Sequence, residues 1–324
     1  MKSQARKPAD RRRRRSAQPP APYAGIELGG TKCICTLAFG ADAVVDQIII
    51  PTERPGRTLA AIQEILIGWR DTDGVRALGI ASFGPIDLDP TSPLYGRMLA
   101  TTKSDWPGTD VRSALASPIA GPVGFTTDVN GAALAELRWG CGQGLREFAY
   151  VTVGTGVGVG LIVDGKTIRG LGHSEVGHLR IPRLAGDDAP SVCAFHDDCV
   201  EGIASGTALI ARLNGRPLDE VAPDDAVWEP LVHALATMCH ALAVTTAPLK
   251  IAIGGGVMSR QPHLLPRIEQ RLRESLNGYL ELPASDYIVA PALGAMAGPL
   301  GSIAVAIDAE ADLRQLERSE WRDD

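Results

Sequence analysis

Short apolar runs broken by turn residues dominate the first part of the chain. Tyr23–Leu28 and Cys33–Phe39 flank the turn Gly29-Gly30-Thr31-Lys32, and Ala43–Ile50 follows. This pattern predicts an antiparallel meander of three strands. Apolar spacing over Thr58–Arg70 predicts a helix, and Val75–Ser82 reads as a buried strand that ends at the loop Phe83-Gly84-Pro85. The pattern returns about 125 residues later. Phe148–Val153, the turn Gly154-Thr155-Gly156-Val157-Gly158 and Val159–Val163 come in order, and Asp164-Gly165 introduces a third strand over Lys166–Arg169. Such a repeat predicts two similarly built lobes facing each other. Helical stretches follow at Asp225–Ala247 and Leu264–Leu280, separated by the strand Lys250–Ile253 and the loop Gly254-Gly255-Gly256.

Composition narrows the class. The chain has 324 residues, 45% hydrophobic and 22% charged, which suits a globular protein of two domains. The net charge of −6 hides an asymmetry, because the first 22 residues hold eight bases and one acid and leave −13 on the rest. A body this acidic is a poor nucleic-acid binder. The basic run Arg11–Arg15 lies in a segment expected to be a disordered tail, closed by Pro19, Pro20 and Pro22. No apolar segment of secretory type follows those bases, so a cytoplasmic protein is expected. The uncharged stretch Tyr287–Ile307 contains Pro291, Gly294, Gly298, Pro299 and Gly301 and reads as a loop and a buried helix, not a membrane span. Six cysteines in such a chain are expected as thiols or metal ligands, not disulfides.

Three glycine segments each follow an apolar strand: Gly29–Lys32, Gly154–Gly158 and Gly254–Gly256. Glycine there lets backbone N–H groups approach an anion. A Walker-type phosphate loop is absent, and the Gly154–Gly160 run is followed by a strand, not by the helix of a dinucleotide fingerprint. A nucleotide held between two opposed β-hairpins remains, the arrangement of the actin-like ATPase fold.

The loop Gly25-Ile26-Glu27-Leu28-Gly29-Gly30-Thr31-Lys32 resembles the opening loop of the ROK family of bacterial sugar kinases. Val153–Gly158, Glu175-Val176-Gly177-His178, Gly254–Met258 and Leu293–Gly298 resemble that family in the same order. Ser82–Asp87, Tyr95-Gly96 and Thr101-Thr102-Lys103 are similar to its bacterial fructokinase branch. Glu27 departs from the family, which usually carries Asp at that position. The resemblance implies a duplicated actin-like ATPase (ribonuclease H-like) α/β fold: an N-terminal lobe over 23–126, completed by a helix at 293–312, and a C-terminal lobe over 127–292. It implies ATP-dependent phosphorylation of a hexose, fructose first, with mannose, glucose or an N-acetylated hexose as alternatives. A homodimer is implied in the same way.

Phosphoryl transfer to a sugar needs a base for the hydroxyl proton. Phe125-Thr126-Thr127-Asp128-Val129-Asn130 places a carboxylate at a strand-to-helix junction, before a helix over Gly131–Trp139. Spacing alone also allows Asp128 to be a plain helix N-cap; the resemblance makes it the catalytic base. It further implies that Gly29, Gly30, Thr31, Lys32, Thr155, Gly156, Thr207, Gly254, Gly255, Gly256, Val257 and Met258 hold ATP with its Mg²⁺. Gly84, Pro85, Lys103, Thr127, Glu175, His178 and Glu201 are implied to contact the sugar.

Cys193-x-x-His196-x-x-Cys199 puts three ligands within seven residues, and either His178 or His173 supplies a fourth. Two thiolates and two imidazoles form a closed tetrahedral Zn²⁺ set, which is structural because no position stays open for water. The family commonly uses three cysteines and one histidine; His196 in a cysteine's place resembles the fructokinase branch. Cys33, Cys35, Cys141 and Cys239 are expected as small core residues. Two readings of another class are a sugar-responsive repressor, which would need a DNA-binding domain ahead of residue 23, and a sugar-binding protein without turnover.

Overall fold

The computed structural model describes residues 21–320 except Thr102, so the Arg11–Arg15 run, Pro19 and Pro20 lie outside the described residues. The first half runs β1 (Tyr23–Leu28), β2 (Lys32–Ala38), β3 (Val44–Pro51), α1 (Pro55–Thr72), β4 (Leu78–Ser82), α2 (Val111–Ala116), β5 (Val123–Thr127) and α3 (Asp128–Trp139). The second runs β6 (Phe148–Val153), β7 (Val157–Val163), β8 (Lys166–Thr167), α4 (Val200–Ala204), α5 (Gly206–Leu213), α6 (Glu229–Thr245), β9 (Ile251–Gly254), α7 (Gly255–Met258), α8 (Leu264–Leu276), β10 (Ile288–Val289) and α9 (Ala297–Glu320).

Two five-stranded sheets result, ordered β3-β2-β1-β4-β5 and β8-β7-β6-β9-β10. Each is an antiparallel meander extended by two parallel strands, so the repeat read from the turns is a repeat of topology. This is the two-lobed actin-like α/β architecture. Local chemistry explains the helices. Helix α1 has no side-chain cap, but buries Leu59, Ile62, Leu66 and Trp69 on one stripe, and Pro55 fits its first turn. A missing cap costs about 1 kcal/mol, whereas each fully buried apolar side chain contributes about 1.5–3 kcal/mol, so the stripe decides. In α8 the buried residues Leu264, Ile268, Leu272 and Leu276 recur every four positions. Helix α6 is buried on most sides; with the short turn before it, Ala226–Thr245 is the one described helix long and apolar enough to cross a membrane, and 56% of its apolar window lies inside the second lobe.

Some boundaries differ from the sequence reading. Gly254-Gly255-Gly256 is not a loop: Gly254 ends β9 and Gly255 starts α7. Helix α3 begins at Asp128, three residues early, because Thr127 caps it by accepting from the Asn130 amide at 3.2 Å. The last helix begins at Ala297 and runs on to Glu320, its final turns exposed.

Helix α9 holds the first lobe to the second. Gly25, Gly79 and Gly124 stand in register on β1, β4 and β5 and form a groove across the first sheet. Backbone and side-chain atoms of Ser302, Ile303, Val305 and Ala306 fill it. At Gly131 and Gly301, α3 and α9 meet backbone to backbone. Glu136, fully buried on α3, accepts from the amides of Cys141 (2.9 Å), Ala292 (3.1 Å) and Leu293 (2.8 Å), which ties the end of α3 to the segment before α9.

The groove predicts opposite signs for two glycine substitutions. A Cβ at Gly79 would overlap the Ser302 carbonyl oxygen, so Gly79→Ala lowers stability by about 3 kcal/mol or prevents folding. Gly68 in α1 has open space around a Cβ, so Gly68→Ala gains about 0.5–1 kcal/mol. Urea denaturation of both variants checks this; equal effects would mean that α9 does not sit in the groove.

Candidate active site and metal cluster

Strand register builds the site. Leu28, Ser82 and Thr127 are neighbours at the carboxyl ends of β1, β4 and β5. The residues that follow them therefore form one row: the Gly29 turn, Phe83-Gly84-Pro85 and Asp128. Ligands of open α/β sheets bind at such carboxyl ends. In the second sheet Thr152 pairs with Gly254, so the Gly154–Gly156 turn and Gly255-Gly256 lie side by side. Both hairpin turns are pinned. Gly29 donates to the Lys32 carbonyl (3.1 Å), and Thr52 Oγ1 donates to the Gly29 carbonyl (2.7 Å). Gly154 donates to the Gly156 carbonyl (2.9 Å), and Thr207 Oγ1 donates to the Thr155 carbonyl (2.8 Å). Val257 and Met258 are buried, so only backbone at that segment can face a ligand, while Gly256 is exposed.

Acidic groups converge between the lobes. Asp128 sits at the first turn of α3, with Oδ1 accepting from the Val129 amide at 2.8 Å. Burial pushes its carboxyl up to about 6, against that amide and with help from the charge of Glu175. Burial, then the charge of Asp128, pushes Glu27 up to about 7 against the pull of Lys32. Glu27 Oε2 is buried without a hydrogen-bond partner, and its carboxyl lies where a Cβ of Gly298 would be. Two acidic groups held above their usual range, one with an orphaned oxygen, suit a hydrated Mg²⁺ brought with a triphosphate.

The other sequence-named residues divide into groups. Lys103 lies with its Cε 3.6 Å from the Cβ position of Gly30, over the first glycine turn. Thr127 is buried, and its hydroxyl oxygen accepts from the Asn130 amide, which caps the first turn of α3 that carries Asp128. Glu175 starts the short turn Val176–His178 and is half-exposed; Gly177 inside that turn packs against the Val157 carbonyl with no room for a side chain. Glu201 accepts from the Val157 amide at 3.0 Å, and its other oxygen lies 3.9 Å from His178 Nε2.

His178, Cys193, His196 and Cys199 gather their ligand atoms within 4.8 Å of one another. The choice between His173 and His178 thus falls on His178. Its Nδ1 is 3.6 Å from Cys193 Sγ and 3.9 Å from Cys199 Sγ, and His196 Nδ1 is 3.8 Å from Cys193 Sγ. Around a tetrahedral ion with zinc-like bond lengths, neighbouring S and N ligands stand about 3.6 Å apart, so the set fits. Burial, then the neighbouring Cys193, pushes the Cys199 thiol up to about 11 despite the Gly202 amide. A bound cation would reverse that and release the proton. The loop is braced apart from any metal. Arg183 donates to Asp187 and to the carbonyls of Ala189 and Asp197, and Arg212 to Asp187, which is nearly buried. Sequence reading had no signal for this brace or for Glu136, because each side chain looks like ordinary surface charge. Cys33, Cys35 and Cys239 are buried thiols, and Cys141 is half-buried.

The ROK family sequence profile matches residues 23–309. The fructokinase of Pediococcus pentosaceus is 40% identical over 282 residues, 87% of this chain and 96% of the relative. That of Zymomonas mobilis is 39% identical over 297 residues, 89% of this chain and 97% of the relative. Among solved structures, a ROK hexokinase from Thermus thermophilus superposes with a TM-score of 0.73 at 26% identity, covering 90% of this chain and 99% of the other. A ROK glucokinase from Streptomyces griseus, in complex with glucose and AMPPNP, has a TM-score of 0.70 at 24% identity, covering 89% and 99%; at that identity it shows the fold alone.

The ligand geometry predicts about one divalent metal per chain by elemental analysis. Cys199→Ser loses the metal and several degrees of melting temperature, as does chelator treatment. Full metal content in Cys199→Ser would remove Cys199 from the ligand set.

Proposed function

The chain belongs to the ROK family and is an ATP-dependent hexose kinase, and on that premise we propose that it phosphorylates fructose to fructose 6-phosphate with Asp128 as general base. The observation that carries this reading is the position of Asp128. It follows the β5 end beside the first glycine turn; its charge raises Glu27 on the nucleotide side, and the charge of Glu175 raises its own carboxyl from the other. Fructose leads because full-length relatives at about 40% identity are named fructokinases.

In this reading Gly29–Lys32 and Gly154–Gly156 hold the phosphates through backbone N–H groups, with Thr207 bracing the second turn. Lys103, beside Gly30, adds a cation within reach of phosphate oxygens. Gly254–Met258 borders the nucleoside through its backbone. Glu175, Glu201 and the Nε2 edge of His178 bind sugar hydroxyls, next to Gly84 and Pro85. Asp128 accepts the proton of the attacking hydroxyl as its oxygen bonds to the γ-phosphorus; the bond from phosphorus to the bridging oxygen breaks and ADP leaves. Mg²⁺ neutralises phosphate charge, with Glu27 as the nearest buried carboxylate. Zn²⁺ is the ion that best suits two thiolates and two imidazoles, and with four protein ligands it is structural. Reduced thiols and ATP point to the cytoplasm as the working compartment.

Asp128→Asn lowers kcat by roughly a hundredfold or more while sugar binding survives; near-normal turnover would remove Asp128 from the role. The base works only when ionised, so in the wild type kcat falls as pH drops through the range from about 6 to about 7 set by the coupled Asp128–Glu27 pair. Saturating Mg²⁺ moves that limb to lower pH. An ADP-release assay over fructose, mannose and glucose gives fructose the highest kcat/KM. A higher value for another hexose moves the substrate, and no release with any of them supports a sugar-sensing protein.

A further inference from the structure

Of the two histidines in the loop ahead of the metal cluster, His178 turns toward the thiols and His173 turns away from them. The His173 side chain is only 7% exposed. Its Nε2 lies 3.2 Å from the backbone nitrogen of Ile86, which belongs to the first lobe. A backbone amide can only donate, so Nε2 carries the lone pair and the ring proton sits on Nδ1. Nδ1 donates to the Ser174 carbonyl at 3.4 Å, and Glu175 Oε1 lies 3.2 Å away as an electrostatic neighbour. A neutral imidazole thus links the two lobes: it accepts from the Ile86 amide of the first and donates to the Glu175 loop of the second. The seat of the ring also depends on residue 84. A Cβ at Gly84 would stand 3.2 Å from both Cε1 and Nε2 of His173, closer than nearly all real Cβ contacts.

We infer that His173 is a positioning residue, which docks the Glu175 loop onto Gly84–Ile86 and so fixes the Glu175 carboxylate where the sugar is bound. A ring that merely filled space would need no acceptor toward Ile86 and no donor toward the backbone of the Glu175 loop. The inference rests on the proposed role of Glu175 as a sugar contact. It also gives Gly84 a reason independent of any ligand, since that position must be bare for the ring to reach the Ile86 amide.

The test uses the hexose that the wild type turns over fastest. His173→Ala raises the KM for that sugar roughly tenfold, the scale of one lost hydrogen bond. The KM for ATP and the metal content stay at wild-type values, and kcat changes less than the sugar KM. His173→Gln, which keeps an acceptor toward Ile86 and a donor toward the Glu175 loop, returns the sugar KM to within about threefold of wild type. Gly84→Ala raises the sugar KM in the wild-type background but adds little in His173→Ala, because both changes break the same contact. An unchanged sugar KM in His173→Ala, an equal rise in both KM values, or loss of metal would overturn the inference. If the wild type phosphorylates no hexose, the kinase reading fails by itself. Hydrogen exchange at the Ile86 amide then decides the docking contact: faster exchange in His173→Ala sustains it, and equal exchange removes it.

Discussion

The closest constraint in the molecule is the passage of α9 along a groove of three glycines. Gly25, Gly79 and Gly124 stand side by side on parallel strands, so the helix backbone comes nearer to the sheet than any side chain would permit. The same helix meets α3 at Gly131 and Gly301, again without intervening side chains. Packed interiors resist displacement of even a methyl group, so these contacts leave α3 little freedom. The first turn of α3 carries Asp128, and its last turn is tied through Glu136 to the segment leading into α9. The position of the acid at the cleft is thereby set by atoms far from any ligand.

That position has an electrostatic consequence. Burial disfavours ionisation of both Asp128 and Glu27, and the charge of Asp128 adds to the effect at Glu27. Both have folded-state values above those of free carboxyls, so their neutral forms favour folding at low pH. That contribution is lost as pH rises through about 6 and about 7, where the ionised pair becomes a site for cations. The longer side chain of Glu27 fills the space over Gly298, which has no side chain to compete.

Local signals were readable in the sequence and distant ones were not. The hairpins around Gly29 and Gly154, and the Cys193–Cys199 spacing, each involve neighbours within about ten residues, so turn chemistry and ligand type sufficed. The glycine groove was invisible because Gly25, Gly79 and Gly124 become neighbours only through strand order. Glu136 looked like surface charge, since two of its three partners are 156 and 157 residues away. Gly254–Gly256 was read as a loop because glycine signals a turn; pairing of Gly254 with Thr152 keeps the first of them in the strand. His173 was seen as a rival zinc ligand because spacing cannot tell which way a ring faces.

The metal cluster shows how a closed centre can still bear on the cleft. Four protein atoms gather at the cluster, so an ion bound there would have no open position for a substrate. Its reach is through the far side of a ligand. His178 turns Nδ1 to the thiols, which directs Nε2 toward Glu201 at 3.9 Å. Glu201 in turn accepts from Val157, the residue after the second glycine turn, at 3.0 Å. At 3.9 Å the Glu201 oxygen is an electrostatic neighbour of the ring and not a hydrogen-bond partner. The Arg183–Asp187–Arg212 brace shapes the loop around the cluster. Among the described residues its hydrogen bonds go to Asp187 and to loop carbonyls, and none reaches His178. An ion bound at the cluster would therefore act chiefly on the orientation of one imidazole, whose far edge faces the carboxylate beside the Gly154–Gly156 turn.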